Sequence, residues 1–183
     1  RLLMPIDKYI LKNATKIIAI SKKMKKYIVT TREINNDKVM AVQNWQDEKD
    51  FIQFLELKNL RHNEAKPFTF MYMGNIGPVA GIDLLIDAFA NAKLPNSRLI
   101  IAGSGSMKES LEIKSKRFKD SIIEFLPVPS GKVPEIQDMA DVLLLPVKNG
   151  ASLSSVPSKL PSNMFSEKPI IACVEDDSDT ANY

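Results

Sequence analysis

Only one cysteine, one histidine and one tryptophan occur in the 183 residues. A single thiol, Cys173, excludes a disulfide framework and points to a reducing compartment. It lies in the apolar run 169–174, where a small core side chain is expected rather than a nucleophile. The one histidine, His62, falls in a polar stretch and is expected at the surface. No His/Cys/Asp cluster shows metal-ligand spacing, so no metal site is expected. No apolar stretch approaches the roughly 20 residues that span a bilayer, and the first residues carry no signal-peptide pattern. An excess of one charge is also missing. Lys and Arg number 25 against 22 Asp and Glu, for a net +3, too mild a balance for a nucleic-acid binder. The sequence opens at Arg1 and stops at Tyr183 just after an acidic turn, and is expected to be a piece of a longer polypeptide.

What is present is an ordinary globular composition, 44% hydrophobic and 26% charged. Short apolar runs at 16–20, 38–42, 68–73, 98–102, 121–126, 141–146 and 168–174 read as buried strands. Between them, apolar residues at helical spacing predict helices over 22–29, 79–92, 107–118, 133–139 and 158–166, the first capped by Ser21. Strands without polar alternation, separated by amphipathic helices, imply a parallel sheet covered on both faces. The expected fold class is α/β, a Rossmann-like doubly wound sheet, with a fragment of a preceding domain. The polar stretch 46–64 reads as a linker, which places the domains at 1–64 and 65–183.

In such a sheet the ligand crevice lies outside the carboxyl ends of the strands. The loops that matter therefore follow Met73, Ala102, Leu126 and Pro146. The first holds Gly74, Asn75, Gly77 and Gly81, a spacing that is neither a Walker loop nor a dinucleotide fingerprint. It suits phosphate contact through backbone amides or a plain tight turn. The second, with Gly103, Ser104 and Gly105, is a glycine turn whose hydroxyl suits a helix cap. The third, Pro127-Val128-Pro129, is stiff enough to edge a planar base or to be a simple connection. The fourth runs from Lys148 through Ser152, Ser154 and Ser155 to Pro157, Ser158 and Lys159. A loop this long and small-sided inside an α/β unit suggests binding, with Ser158 at the helix start and Lys159 beside it facing an anion.

Here the sequence resembles a known family. Val156-Pro-Ser-Lys-Leu-Pro-Ser-Asn-Met-Phe-Ser-Glu-Lys-Pro-Ile-Ile-Ala172 is similar to the P-S-K-L-x-E-Y-M-x-x-G-K-P-V-I-A stretch of family-4 retaining glycosyltransferases. Tyr72-Met-Gly-Asn-Ile76, Gly81-Ile-Asp-Leu-Leu-Ile-Asp-Ala-Phe89 and Leu99-Ile-Ile-Ala-Gly-Ser-Gly105 agree in order. Ala14-Thr-Lys-Ile-Ile-Ala-Ile-Ser21 and Val42-Gln-Asn44 resemble the end of such an enzyme's first domain. In flavour the sequence is similar to fucosamine-type transferases of O-antigen and capsule assembly.

The resemblance implies the GT-B fold, a cytoplasmic enzyme working at or near the inner membrane face, and no essential metal or cofactor. The substrate implied is a nucleotide-diphosphate sugar, UDP-linked by expectation, whose sugar passes with retention to a glycan or lipid-linked acceptor. Donor-binding residues expected on this basis are Gly74, Asn75, Gly77, Gly103, Ser104, Val128, Ser155, Pro157 and Ser158. The catalytic positions are Lys159, Ser154 and Ser162. The sequence departs from the family where it matters. Arg and Lys of the glycine loop are replaced by Asn75 and Ala80, and the two glutamates by Ser154 and Ser162. Lys159 is expected to supply the missing diphosphate charge, while the fragment alone is expected to be inactive. Two further readings stay open: a sugar-nucleotide epimerase of the same architecture, and a non-catalytic nucleotide-binding domain. Asp176, Asp177 and Asp179 read as a solvated turn and helix start rather than a metal site. Lys22, Lys23, Lys25 and Lys26 read as a solvated helix face, with a weak anionic-membrane contact as the alternative.

Overall fold

A computed structural model describes residues 3–58, 66–148 and 156–182. His62, Ser154 and Ser155 lie outside the described residues. Two compact units are present, and each is considered by itself. The first comprises the chain up to Trp45, Val156 and Pro157, and the terminal segment from Glu175; the second runs from Gln46 to Lys148 and from Ser158 to Val174. The expected boundary at 64/65 does not coincide with this division, since residues 46–58 belong to the second unit.

The first unit contains helix α1 (Met4–Asn13), strand β1 (Ile17–Ala19), helix α2 (Lys22–Arg32) and strand β2 (Val39–Ala41). The two strands pair in parallel. Ile17, Ala19, Ile34 and Val39 form the small core, closed by Met24, Ile28 and Val29 of α2. Ser21 caps α2 as its sequence position predicts, its Oγ accepting from the Met24 amide at 3.0 Å. The acidic turn serves the same helix end. Asp179 Oδ2 accepts from the Lys23 amide at 3.1 Å, and Asp177 pairs with Lys23 Nζ at 3.2 Å. Carboxylates are favoured there because the first amides of a helix lack partners and carry positive potential.

The second unit opens with a helix that the sequence reading placed in a linker. Helix α3 (Lys49–Lys58) buries Phe51 and Phe54 among charged neighbours, and Phe51 stacks on Phe165 with ring centroids 5.6 Å apart. Two aromatics three residues apart are enough to anchor it. Then follow β3 (Phe68–Met73), α4 (Ile82–Ala92), β4 (Ser97–Ala102), α5 (Lys108–Ser115), β5 (Ile122–Leu126), α6 (Val133–Asp138), β6 (Val142–Pro146), α7 (Leu160–Phe165) and β7 (Ile170–Cys173). The five strands are all parallel, in the order β5-β4-β3-β6-β7.

Alternate side chains of each strand feed two cores. Tyr72, Leu99, Ile101, Val142 and Leu144 pack with Ile82, Leu85, Ile86 and Leu111 of α4 and α5. Met71, Met73, Ile100, Ala102 and Leu143 face the side covered by Val133 and Ile136 of α6. Two covered faces explain the continuous apolar runs of the central strands. The edge strand β7 differs: Ile171 is half exposed and Cys173 is exposed. The expected core position of Cys173 is thereby corrected. An apolar run on an edge strand has one neighbour instead of two, so its burial is incomplete.

The chain runs outward from β3 through β4 to β5, then returns to β6 on the far side of β3. That reversal is the switch point at which an open α/β sheet leaves a crevice beyond its carboxyl ends.

Candidate donor site

Two glycine loops meet at this rim. The amides of Gly74 and Ile76 donate to the carbonyls of Ala102 and Ser104 at 2.9 and 2.7 Å. The Met107 amide returns to the Ile76 carbonyl at 3.0 Å, and Gly103 N–H donates to Leu126 O at 2.9 Å. The parallel ladder thus continues past the strand ends and binds the loops side by side. Gly103 and Gly105 adopt φ of 141° and 154°, and a methyl group at either would collide with the backbone carbonyl of Gly74 or Ile76. Their glycines are demanded by this backbone crossing. Amides at Gly74 and Ile76 are consumed by it, so at those two positions the tight-turn reading holds. The amides of Asn75 and Gly77 donate to no acceptor among the described residues.

Above these loops lies a cavity of about 660 Å³. Gly74, Asn75, Gly103, Ser104, Val128, Ser158, Lys159 and Ser162 all line it, so residues from four separate loops converge as the topology predicts. Gly77 stands behind Asn75, whose Nδ2 would be 2.9 Å from a methyl at that glycine. Pro157 belongs to the first unit and is not among the lining residues. Ser104 and Ser158 do not cap helices. Helix α5 is preceded by Met107 and α7 by Lys159, neither with a side-chain cap, which leaves both hydroxyls free of that role.

Lys159 is the distinctive group. Its Nζ donates to Tyr72 Oη at 2.6 Å and lies 4.3 Å from the centre of the Tyr72 ring. The same ammonium would sit 2.6 Å from a methyl at Gly74, so it rests directly on the first glycine loop. Among the described residues no carboxylate pairs with it. Burial without a counter-charge pushes its pKa down to about 8, while burial lifts that of Tyr72 to about 12. Charge elsewhere in the cavity lining is limited to Lys108, which reaches Glu112 at 3.8 Å. The described lining therefore carries positive charge and no acidic side chain, an environment that favours an anion.

Ser162 faces the cavity from α7, where its Oγ accepts from Gln137 Nε2 at 3.3 Å; the same nitrogen donates to Asn163 Oδ1 at 3.0 Å. Gln137 and Asn163 are both nearly fully buried, so this amide pair ties α6 to α7 beneath the cavity. Neither they nor Tyr72 were singled out by sequence reasoning. Gln137 did leave a signal, as a polar residue in the apolar register of Val133, Ile136 and Ala140. Among the described residues no group of three or more His, Cys, Asp or Glu could hold a metal ion, and no helix is long and apolar enough to cross a membrane.

Residues 53–173 match the sequence profile described as Glycosyl transferases group 1. The chain belongs to this family. Among curated relatives it is 23% identical to the probable glycosyltransferase WbjE of Pseudomonas aeruginosa, over 96% of this chain and 44% of that protein. Among solved structures it is similar to Anabaena HepE in complex with UDP-glucose, at TM-score 0.70 and 16% identity, over 98% of this chain and 50% of the other. Sucrose-phosphate synthase from Thermosynechococcus elongatus gives TM-score 0.70 at 18% identity, over 92% of this chain and 43% of its own. These likenesses establish the GT-B type of α/β fold. The chain spans about half the length of the relatives it matches. Lys159 and Lys108 are the cations that the described residues bring to this rim.

Proposed function

We propose that the rim cavity of the second unit holds the diphosphate of a UDP-linked sugar, and that the protein transfers this sugar with retention to a glycan or lipid-linked acceptor. One observation carries the reading: a half-buried ammonium that pairs with no carboxylate among the described residues lies on a glycine loop whose Asn75 and Gly77 amides find no acceptor among them. Such an arrangement is unfavourable when empty and favourable around a phosphate oxygen. The choice of uridine is supported by the HepE complex, and retention by the family resemblance. In the chemical step, negative charge builds on the departing diphosphate as the glycosidic bond lengthens. In this reading Lys159 and the Asn75 amide, both at the cavity wall, stabilise that charge. The stiff Pro127-Val128 edge, also part of the lining, suits the planar base.

Product analysis with the full-length protein, UDP-sugars and acceptor glycans tests the proposal. Released UDP together with a lengthened glycan is the expected result. An isomerised sugar still joined to UDP would replace transfer by epimerisation. Lack of UDP binding would remove the donor site altogether.

A further inference from the structure

Tyr72 is fully buried in the core beneath the cavity and is absent from its lining. Its hydroxyl nevertheless has two partners, both at the rim. It donates to the Asn75 carbonyl at 2.7 Å and accepts from Lys159 Nζ at 2.6 Å. One oxygen therefore links the first glycine loop to the residue that precedes α7. With the donor proton committed to Asn75, the oxygen presents a lone pair to the ammonium. The ring face, 4.3 Å away, adds cation–π attraction. Five single bonds separate the lysine ammonium from its Cα, and a free lysine side chain samples many rotamers. Two simultaneous contacts to one rigid aromatic residue remove most of that freedom.

We propose that Tyr72 is a positioning residue, holding the Lys159 ammonium against residues 74–75 so that its remaining N–H groups point at the donor diphosphate. The proposal rests on the reading of the rim cavity as the diphosphate site. No other charged group competes for the ammonium among the described lining residues. Asn75 on the first loop, Gln137 on α6, and Ser162 and Asn163 on α7 are neutral, and Lys108 is a like charge. Tyr72 thus fixes the geometry of a cation that has no other side-chain partner among the described residues.

Tyr72→Phe tests this, because it keeps the ring and its packing and deletes only the hydroxyl. UDP affinity, measured by calorimetry on the full chain, is expected to fall about tenfold, the effect of one charge-assisted hydrogen bond lost from an organised site. Two readouts separate positioning from support of the fold. In the Tyr72→Phe/Lys159→Met double variant the loss is expected to be no greater than in Lys159→Met alone. The pH at which UDP affinity declines is expected to move upward from about 8, since an unheld ammonium swings towards water. Multiplying losses in the double variant, or an unchanged pH profile, would overturn the proposal. Unchanged affinity in Tyr72→Phe alongside a loss in Lys159→Met would overturn the role of Tyr72 and leave the diphosphate site standing. Unchanged affinity in both would remove the site reading as well. A check that needs no variant is the nuclear Overhauser contact between the Lys159 ε-methylene and the Tyr72 ring. It is expected with and without UDP, and its absence in either state would also overturn the assignment.

Discussion

Lys159→Met is expected to weaken UDP binding by about ten- to a hundredfold, the range that corresponds to roughly 1.5–3 kcal/mol for a charged hydrogen bond. Methionine preserves the length and packing of the lysine stem, so the change isolates the ammonium. The pH dependence gives the effect a signature. Burial lowers the pKa of Lys159 to about 8, and the protonated form is the one that binds a diphosphate. Affinity in the unaltered protein should therefore be level below that pH and decline above it, while the methionine variant should show no such decline. Terminal phosphate protonation, with a pKa of about 6, lies well below this window. Stability should respond in the opposite sense. Because the folded-state pKa lies below that of the unfolded chain, the unfolded state binds more protons between about 8 and the ordinary lysine value of 10.5. The contribution of this group to stability therefore rises with pH across that interval. Near neutral pH, Lys159→Met is expected to melt at a higher temperature than the unaltered chain, since an ammonium without a counter-anion is no longer buried. Weaker binding with greater stability would mark Lys159 as a functional group that the fold holds at a cost.

Gly103→Ala is expected to destabilise the protein by about 3–5 kcal/mol and to lower its melting temperature by about 6 °C or more, in line with roughly 2–8 °C per kcal/mol for domains of this size. Two causes act together. At φ 141° an L side chain is strained, and the added methyl would collide with the Gly74 carbonyl oxygen. The collision cannot be relieved by a rotamer change, because the obstacle is backbone held in the loop ladder. The natural control is Gly131→Ala. Gly131 also has positive φ, at 74°, but a methyl there meets nothing within 4 Å. Its cost should stay near about 1 kcal/mol, the conformational penalty alone. Equal melting temperatures for the two variants would show that the loops are not locked as described. Loss of UDP binding should accompany Gly103→Ala even in the folded fraction, because the first loop would have to move.

Much of this architecture is legible in the sequence because a doubly wound sheet writes itself in apolar runs. The central strands around Met71, Ile100 and Leu143 have no polar alternation, and the glycine turns stand at their carboxyl ends. Parallel topology then brings Gly74, Gly103, Val128 and Lys159 to one rim without further information. What escaped were features decided by a few contacts. Helix α3 hid in a charged stretch because only Phe51 and Phe54 anchor it. Cys173 is exposed because β7 ends the sheet among the described residues, and strand order cannot be read from an apolar run. Ser158 stood where a cap is usual, yet the helix begins two residues later. Gly103 and Gly105 read as an ordinary glycine turn, whereas their conformation answers to the neighbouring loop. The hydroxyl of Tyr72 was invisible as a site feature because the side chain belongs to a core strand. Its reach to Lys159 depends on a spatial pairing 87 residues apart.

Above all, an anionic ligand should enter the cavity beyond the carboxyl ends of β3, β4 and β5. Amide and lysine side-chain NMR signals followed during titration with UDP test it directly. Progressive shifts at Asn75, Gly77, Val128 and Lys159 are the expected result. At the opposite end of the strands a second cavity of about 800 Å³ is lined in part by Lys93, Arg117 and Lys119. Shifts confined to those three residues, with Asn75 and Lys159 unmoved, would contradict it.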